Sequence, residues 1–492
     1  MYSISKSKYC KAIQCPKMLW MDRNMPEEAV CTASESVLKN GNEVGDLARK
    51  YFGEYKLVDF SLDKSAMCKA TEEILKKGER IIAEASFMYN NCFCSVDILK
   101  KENDGYHLIE VKSSSSIHDI YYYDMAFQYW VLTNCGLKVT KVFNMHINSK
   151  YVRKGALMLD GLFTLEDCTQ DILKMQGDIA EKLKIFFETA EQETEPYAKI
   201  GVHCRAPYDC EYIGHCHRSI PEPSVFSIHG VTDKKKYELY NSGIITFADI
   251  VKNAPKLSDN AMKQVLSAYE NNGPEINKKA ISDFLSTLSY PLYHLDFETF
   301  QQAIPQYDGV KPYMQIPFQY SLHVQHSKGA VPKHYEFLGK EGTDPRRALA
   351  EQLCRDIPIN VCSLAYNMSF EKRVIKELAE QYSDLSAHLM NIHDNMHDLM
   401  VPFRNKDYYC KEMEGSYSIK YVLPALCSGD PDLDYHALNE IHNGGEAMSA
   451  FAELQEHSPE EIAETRKNLL AYCRLDTLAM VKVLEKLYEA VK

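Results

Sequence analysis

An α/β protein is predicted, with two mixed-sheet domains at opposite ends of the chain joined by a small helical segment. Three observations carry this. At 492 residues the chain is too long for one hydrophobic core, so two or three domains are expected. Strand signals recur near both ends, around 95–112 and 290–299, each with helical patterns downstream. Between them, Ile220-Pro221-Glu222-Pro223 breaks the chain. The domains are therefore read as 1–222 and 289–492, with 223–288 as a helical connector.

Composition narrows the class. Hydrophobic residues make up 45% of the chain and charged residues 25%, as in ordinary soluble globular proteins. No stretch approaches the roughly 20 apolar residues that cross a bilayer, so no membrane partner is expected. The start, Met1-Tyr2-Ser3-Ile4-Ser5-Lys6-Ser7-Lys8, is polar and basic with no apolar run behind it, which argues against a secretory signal and for a cytoplasmic protein. In a reducing compartment the 16 cysteines are free thiols or metal ligands. Scattered ones such as Cys68, Cys135, Cys362 and Cys427 read as small buried hydrophobes. A net charge of −13 speaks against a broadly basic surface. It leaves nucleic acid open, because carboxylates can recruit cations to meet phosphates.

In the first part, Ser95-Val96-Asp97-Ile98-Leu99, a polar turn from Lys100 to Gly105, and His107-Leu108-Ile109-Glu110-Val111-Lys112 read as a β-hairpin. Alternation along a strand points Glu110 and Lys112 the same way and Val111 the other. With Asp97 opposite, two carboxylates and one ammonium converge. Such a set suits Mg²⁺ or Mn²⁺, and a bound ion lowers the pKa of its water. Glu84, on the preceding apolar stretch, is a further candidate ligand. Gln128 and Tyr129 lie on a helical segment from Asp124 to Leu132, where amide and ring are candidate substrate contacts. The neighbouring Tyr121-Tyr122-Tyr123 can stack on bases or fill core.

Asp97, Glu110-Val111-Lys112 and Gln128-Tyr129 resemble the signature of the RecB-type PD-(D/E)XK nucleases. Ser5-Lys6-Ser7 and Cys15-Pro16 with Leu19-Trp20 resemble the opening of that family's iron–sulfur branch, which includes CRISPR-associated and AddB-type nucleases. The resemblance implies a restriction-endonuclease-like fold and metal-dependent cleavage of nucleic acid. One position departs from it. Members often carry a metal-binding histidine four residues after an early glycine, whereas here Gly41 is followed at that spacing by Gly45. Glu43 or Asp46 would have to compensate.

Cys204, Cys210 and Cys216 are crowded among turn residues between His203 and His217, which points to metal ligation. Zinc would take its fourth ligand from His203, His215 or His217. A [4Fe–4S] cluster needs four thiolates, and the resemblance implies Cys15 as the remote fourth, with Cys10 as fallback. Bonding Cys15 to the distant thiols would clasp the domain's beginning to its end, making metal affinity part of folding free energy.

The third part opens with Tyr290-Pro291-Leu292-Tyr293-His294-Leu295-Asp296-Phe297-Glu298-Thr299, where alternation puts Asp296 and Glu298 on one strand face. Two such carboxylates can ligate a pair of divalent ions suited to in-line phosphoryl displacement. Asn367 to Glu371 precedes a helical pattern. Near the end Tyr472 and Asp476 share a helix face. Asp476 would complete the ligands and the Tyr472 hydroxyl would orient water. In this order the three segments resemble the DEDD, or DnaQ-like, 3′–5′ exonucleases, which implies an RNase H-like fold. Glu371 departs from the family's usual aspartate by one methylene. His397-Asp398-Leu399 and Gly415 to Lys420 read as substrate-side structure, with Asp398 and Lys420 either as substrate contacts or in ordinary surface roles, and Asn367 as a further contact. In the connector, three lysines, Lys234 to Lys236, precede a turn at Gly243, reading as a helix–turn–helix pair that grips phosphate or serves as a spacer.

Both resemblances together cover nearly the whole chain and resemble an uncharacterised bacterial family that fuses the two domains. The expected function is metal-dependent hydrolysis at nucleic-acid ends, DNA ahead of RNA. The alternative is a nucleic-acid-binding scaffold with one or both sites inactive.

Overall fold

The structure, a computed structural model, describes residues 2–30, 35–429, 433 and 438–492; Met1 of the polar start lies outside them. It is mixed α/β, with two compact units: Met1–Ile220 with Gln302–Met314, and Pro221–Gln301 with Gln315–Lys492.

The first unit opens with β1 (Ile4–Ser5), α1 (Lys6–Gln14) and α2 (Lys17–Asn24). The Ser5 hydroxyl caps α1 by accepting the Lys8 N–H. After α3 (Glu35–Tyr51), β2 (Lys56–Leu57) and α4 (Lys64–Lys76) come three antiparallel strands, β3 (Ile81–Tyr89), β4 (Cys92–Glu102) and β5 (Gly105–Lys112). Helix α5 (Asp119–Asn134) then returns the chain so that β6 (Val139–Ile147) pairs parallel to β5. α6 (Leu159–Leu162), β7 (Phe163–Asp167), α7 (Thr169–Ala190) and α8 (Ile213–His217) complete the unit. The sheet order is β2-β3-β4-β5-β6-β7, with β1 alongside β4. One face buries Val96, Leu99 and Leu108 with Phe127 and Val131 of α5. The other buries Ile98, Ile109 and Met145 with Val44 and Ala48 of α3.

The β4–β5 turn is tighter than the sequence suggested. Pairing runs to Glu102 and resumes at Gly105, leaving only Asn103-Asp104 between strands. Gly105 sits at φ +153°, and a Cβ there would stand 2.5 Å from the Lys138 carbonyl oxygen, so glycine is required.

The second unit begins with α9 (Asp233–Asn241), α10 (Phe247–Asn253) and α11 (Asp259–Tyr269). These share an apolar cluster of Leu239, Phe247, Ile250 and Val265, and the α9–α10 turn uses Gly243 at φ +78°. β8 (Glu275–Ile276) and α12 (Lys278–Ser286) lead into β9 (Leu292–Phe300), β10 (Ile316–Gln325) and β11 (Lys333–Leu338). Then follow α13 (Arg346–Asp356), β12 (Cys362–Ala365), α14 (Ser369–Gln381), α15 (Ser386–Asp394), β13 (Met396–Asp398), α16 (Val401–Arg404) and β14 (Tyr408–Tyr409). Among the described residues, α17 (Ile419–Leu426), α18 (Gly444–Glu453) and the long α19 (Pro459–Ala490) come last.

The main sheet has the order β11-β10-β9-β12-β13, with β10 antiparallel to both neighbours and β12 parallel to β9 and β13. Leu295, Phe297, Tyr320 and Leu322 pack on one face against Leu349 and Leu353 of α13 and Val374 and Leu378 of α14. Strand alternation leaves Asp296, Glu298, Gln319 and Ser321 for the opposite face, where α19 lies.

Candidate metal centres

In the second unit, ligand oxygens of Asp296, Glu298 and Asp476 lie within 4.8 Å of one another. Asp296 and Glu298 stand two residues apart on β9, whereas Asp476 arrives on α19. The helix is held in place by Gln319, whose amide donates to the Leu469 carbonyl (2.8 Å), and by Thr477, bonded to Ser321 (2.6 Å) and His323 (2.7 Å). Tyr472 is buried one turn before Asp476. Glu371, in the first turn of α14, is also buried, and its Oε2 has no hydrogen-bond partner. Burial pushes the Asp296 carboxyl well above the usual range, reinforced by Asp476, Glu371 and Glu298. Burial likewise raises Glu298 and Glu371 to about 8. Carboxyls so crowded cannot all ionise in low dielectric without a compensating cation. The donor set suits a hard divalent ion.

Asn367 and Lys420 are both exposed. Asn367 turns the chain at φ +71°, and Lys420 exerts a charge effect on Glu298. Asp398, read from sequence as substrate-side, is buried instead. It accepts the Asn367 and Met400 N–H groups (2.9 and 3.0 Å) and so shapes the loop before α14.

In the first unit Asp97 and Glu110 meet through an ammonium absent from the sequence-based set. Lys6 Nζ stands 3.3 Å from Asp97 Oδ1 and 3.1 and 3.2 Å from the two Glu110 oxygens. Lys112 bonds Glu110 (2.7 Å) and Asp124 (2.8 Å). Gln128 is fully buried and donates to Glu110 (2.7 Å) and Asp124 (2.9 Å). Its place is therefore behind Glu110, holding it, rather than at an exposed substrate face; Tyr129 packs against the core. Burial and Asp97 push Glu110 up, but Lys112, Lys6 and the Gln128 bond prevail and lower it overall. Burial opposes the charge on Lys6, yet Asp97, Glu110 and Asp124 raise it well above the ordinary lysine value. Glu84 lines a cavity of about 270 Å³ with Asp97 and Lys112, but its carboxylate pairs with Arg49 at 2.8 Å. Gly41 and Gly45 line the same cavity.

Cys15, Cys204, Cys210 and Cys216 line a single small pocket with Met18 and Met21. Cys10 instead points its thiol at the Ile120 carbonyl. No three of the four pocket sulfurs lie mutually within 4.8 Å. Burial raises the Cys15 and Cys216 thiols and brings Cys210 to about 11.

Of these three sites, the acidic one on β9 falls where comparison with known families finds a match. Residues 293–418 match a domain of unknown function, DUF2779. The DUF2779 match takes in Asp296, Glu298 and Glu371 and stops before Tyr472 and Asp476 on α19. The chain is also similar to an uncharacterized protein, UU173, of Ureaplasma parvum serovar 3, at 27% identity over 192 residues. That similarity covers 36% of this chain and 27% of the relative, so the chain spans about a quarter of that protein's length. No solved structure matches.

Lys6, Asp124 and Ser321 were missed as site residues. Lys6 entered the sequence reading only within the polar start and the Ser5-Lys6-Ser7 resemblance, and Ser321 lies on a strand that was not singled out. Asp124 had a signal: it stands four residues before Gln128, one helical turn away on the same face.

Proposed function

We propose that the chain is a metal-dependent nuclease acting at nucleic-acid ends, with an exonuclease-type site in the second unit and a RecB-like site in the first. The observation that carries this reading is the meeting of Asp296, Glu298 and Asp476 within 4.8 Å, from strand and helix far apart in sequence. Asp296, Glu298 and Asp476 would hold Mg²⁺ or Mn²⁺, and the unpartnered Glu371 Oε2 offers a further ligand atom. A divalent ion bound there supplies charge for the phosphate and acidity for a water. Tyr472, on the same helix, would orient the attacking water by hydrogen bonding. The sheet order, three antiparallel strands continued by two parallel ones, supports the RNase H-like resemblance.

In the first unit the succession β3-β4-β5-α5-β6 supports the RecB-like resemblance. There Lys112 would stabilise negative charge on the attacked phosphate, with Gln128 fixing the Glu110 rotamer. Cys15, Cys204, Cys210 and Cys216 would hold a [4Fe–4S] cluster as a structural clasp.

The test is a digestion of end-labelled single- and double-stranded DNA and RNA with Mg²⁺ or Mn²⁺, using wild type, Asp296→Asn and Glu110→Gln. Shortening from the 3′ end is expected to vanish in Asp296→Asn and persist in Glu110→Gln. Wild-type protein that leaves every substrate intact overturns the reading.

A further inference from the structure

The two acidic sites differ in one respect that their shared chemistry does not explain. Among the described residues, no lysine or arginine ion-pairs with Asp296, Glu298 or Glu371. In the first unit the corresponding carboxylates already hold a cation. Lys6 Nζ reaches Asp97 Oδ1 and both Glu110 oxygens at 3.1–3.3 Å, three acceptors for the three N–H donors of an ammonium. Glu110 also accepts from Lys112 and Gln128, and Asp97 Oδ2 accepts the Val111 N–H (2.7 Å).

We propose that Lys6 occupies the seat of the divalent cation in the first unit and keeps it closed until a nucleic-acid phosphate draws the ammonium away. The proposal rests on the reading of Asp97 and Glu110 as metal ligands. A divalent ion binds carboxylate oxygens at roughly 2.0–2.6 Å, so it needs the space between Asp97 and Glu110 that Nζ now fills. Like charges cannot share that space in a buried site. Lys6 can leave without unfolding anything. Its side chain is 23% exposed on a flexible four-carbon stem, whereas its backbone is fixed by the Ser5 cap and the pairing of β1 with β4. A phosphodiester entering the neighbouring cavity supplies the anion that takes over the ammonium. Metal and substrate would then fill the first unit's site together.

The experiment titrates full-length protein with Mn²⁺, reading free ion by electron paramagnetic resonance. Asp296→Asn/Glu298→Gln is the common background, so that only the first unit's site is counted. Lys6→Met is expected to bind Mn²⁺ at least tenfold more tightly than the background protein, and Lys6→Gln likewise, each with an unchanged circular dichroism spectrum. A phosphorothioate oligonucleotide should tighten Mn²⁺ binding when Lys6 is present and change it little in Lys6→Met. Equal or weaker binding in both Lys6 variants, lost on Glu110→Gln, overturns the role of Lys6 and leaves the metal seat standing. An oligonucleotide without effect on the Lys6 protein overturns the gating. Mn²⁺ bound by none of these proteins overturns the metal reading of this site and the inference with it.

Discussion

Lys6 and Cys15 bracket one helix. Lys6 is the first residue of α1 and Cys15 its C-cap, with the Cys15 N–H donating to the Lys11 carbonyl. The helix spans 9 residues, about 14 Å, and is anchored at one end among Asp97 and Glu110 and at the other in the cysteine pocket. The thiol site and the first acidic site therefore share a rigid element. Replacing Cys15 by serine removes the remote thiol from the clasp. Anaerobically purified Cys15→Ser should lose the brown colour and visible absorbance expected of wild type. Its midpoint of thermal unfolding should fall by several degrees, consistent with about 2–4 kcal/mol for opening so long a loop. Unchanged absorbance would remove Cys15 from the ligand set.

Asp296→Asn should act on stability and metal binding in opposite senses. In chelator the wild-type site crowds Asp296 against Asp476, Glu371 and Glu298. Removing one carboxyl relieves that crowding, so the metal-free variant should melt higher, with each 1 kcal/mol worth about 2–4 °C. A rise in melting temperature with Mg²⁺ is expected for wild type and should be nearly absent in the variant. Scanning calorimetry with and without Mg²⁺ reads both; a metal-free variant that melts lower contradicts the crowding.

Gln128→Leu distinguishes support of Glu110 from contact with substrate. The leucine fills the space but takes one hydrogen-bond donor from each of the buried carboxylates of Glu110 and Asp124, which keep their bonds to the lysines. A loss of about 1–3 kcal/mol is expected from denaturant titration. Cleavage by the first unit should fall through turnover with substrate affinity little changed. A pure affinity loss at full stability would return Gln128 to the substrate.

His323 makes the second unit sensitive to mild acid. Burial, with help from His334, His294 and Arg474, lowers His323 to about 3, and His334 is lowered to about 4, chiefly by burial. Unfolded histidine titrates near 6.5. Between about pH 6.5 and pH 4 the unfolded chain thus binds protons that the fold refuses. The contribution of these rings to stability is present above pH 6.5 and declines as pH falls, at up to about 1.4 kcal/mol per pH unit for each, with the raised carboxyls of Glu298 and Glu371 acting in the opposite sense. His323→Gln, which keeps a polar partner for Thr477, should flatten the melting temperature against pH over that range. An unaltered slope would show that other groups carry it.

Much of the acidic site on β9 was legible because its signal is local. Two carboxylates at alternate positions of an apolar strand declare a shared face, and Tyr472 and Asp476 one turn apart declare another. The hairpin bearing Asp97 and Glu110 was legible for the same reason, although its turn was read too long: Lys100 and Lys101 look like loop yet pair across the strands. Asp398 misled because a carboxylate near a candidate motif looks functional until its acceptors are seen taking backbone N–H groups. The placing of 223–288 inside the second unit had no local signal, since a short helix looks alike in a spacer and in a docked layer.

The sequence by itself determined the alternation of strands and helices, the identity of the acidic residues and the crowding of three cysteines, since each depends on residues within a turn or two of one another. Tertiary structure alone decided which distant groups share a pocket: Asp476 with Asp296, Cys15 with Cys216, and above all Lys6 with Asp97 and Glu110. The physical reason is that strand and helix periodicity dictates which way a side chain faces. What it faces depends on packing between segments far apart along the chain.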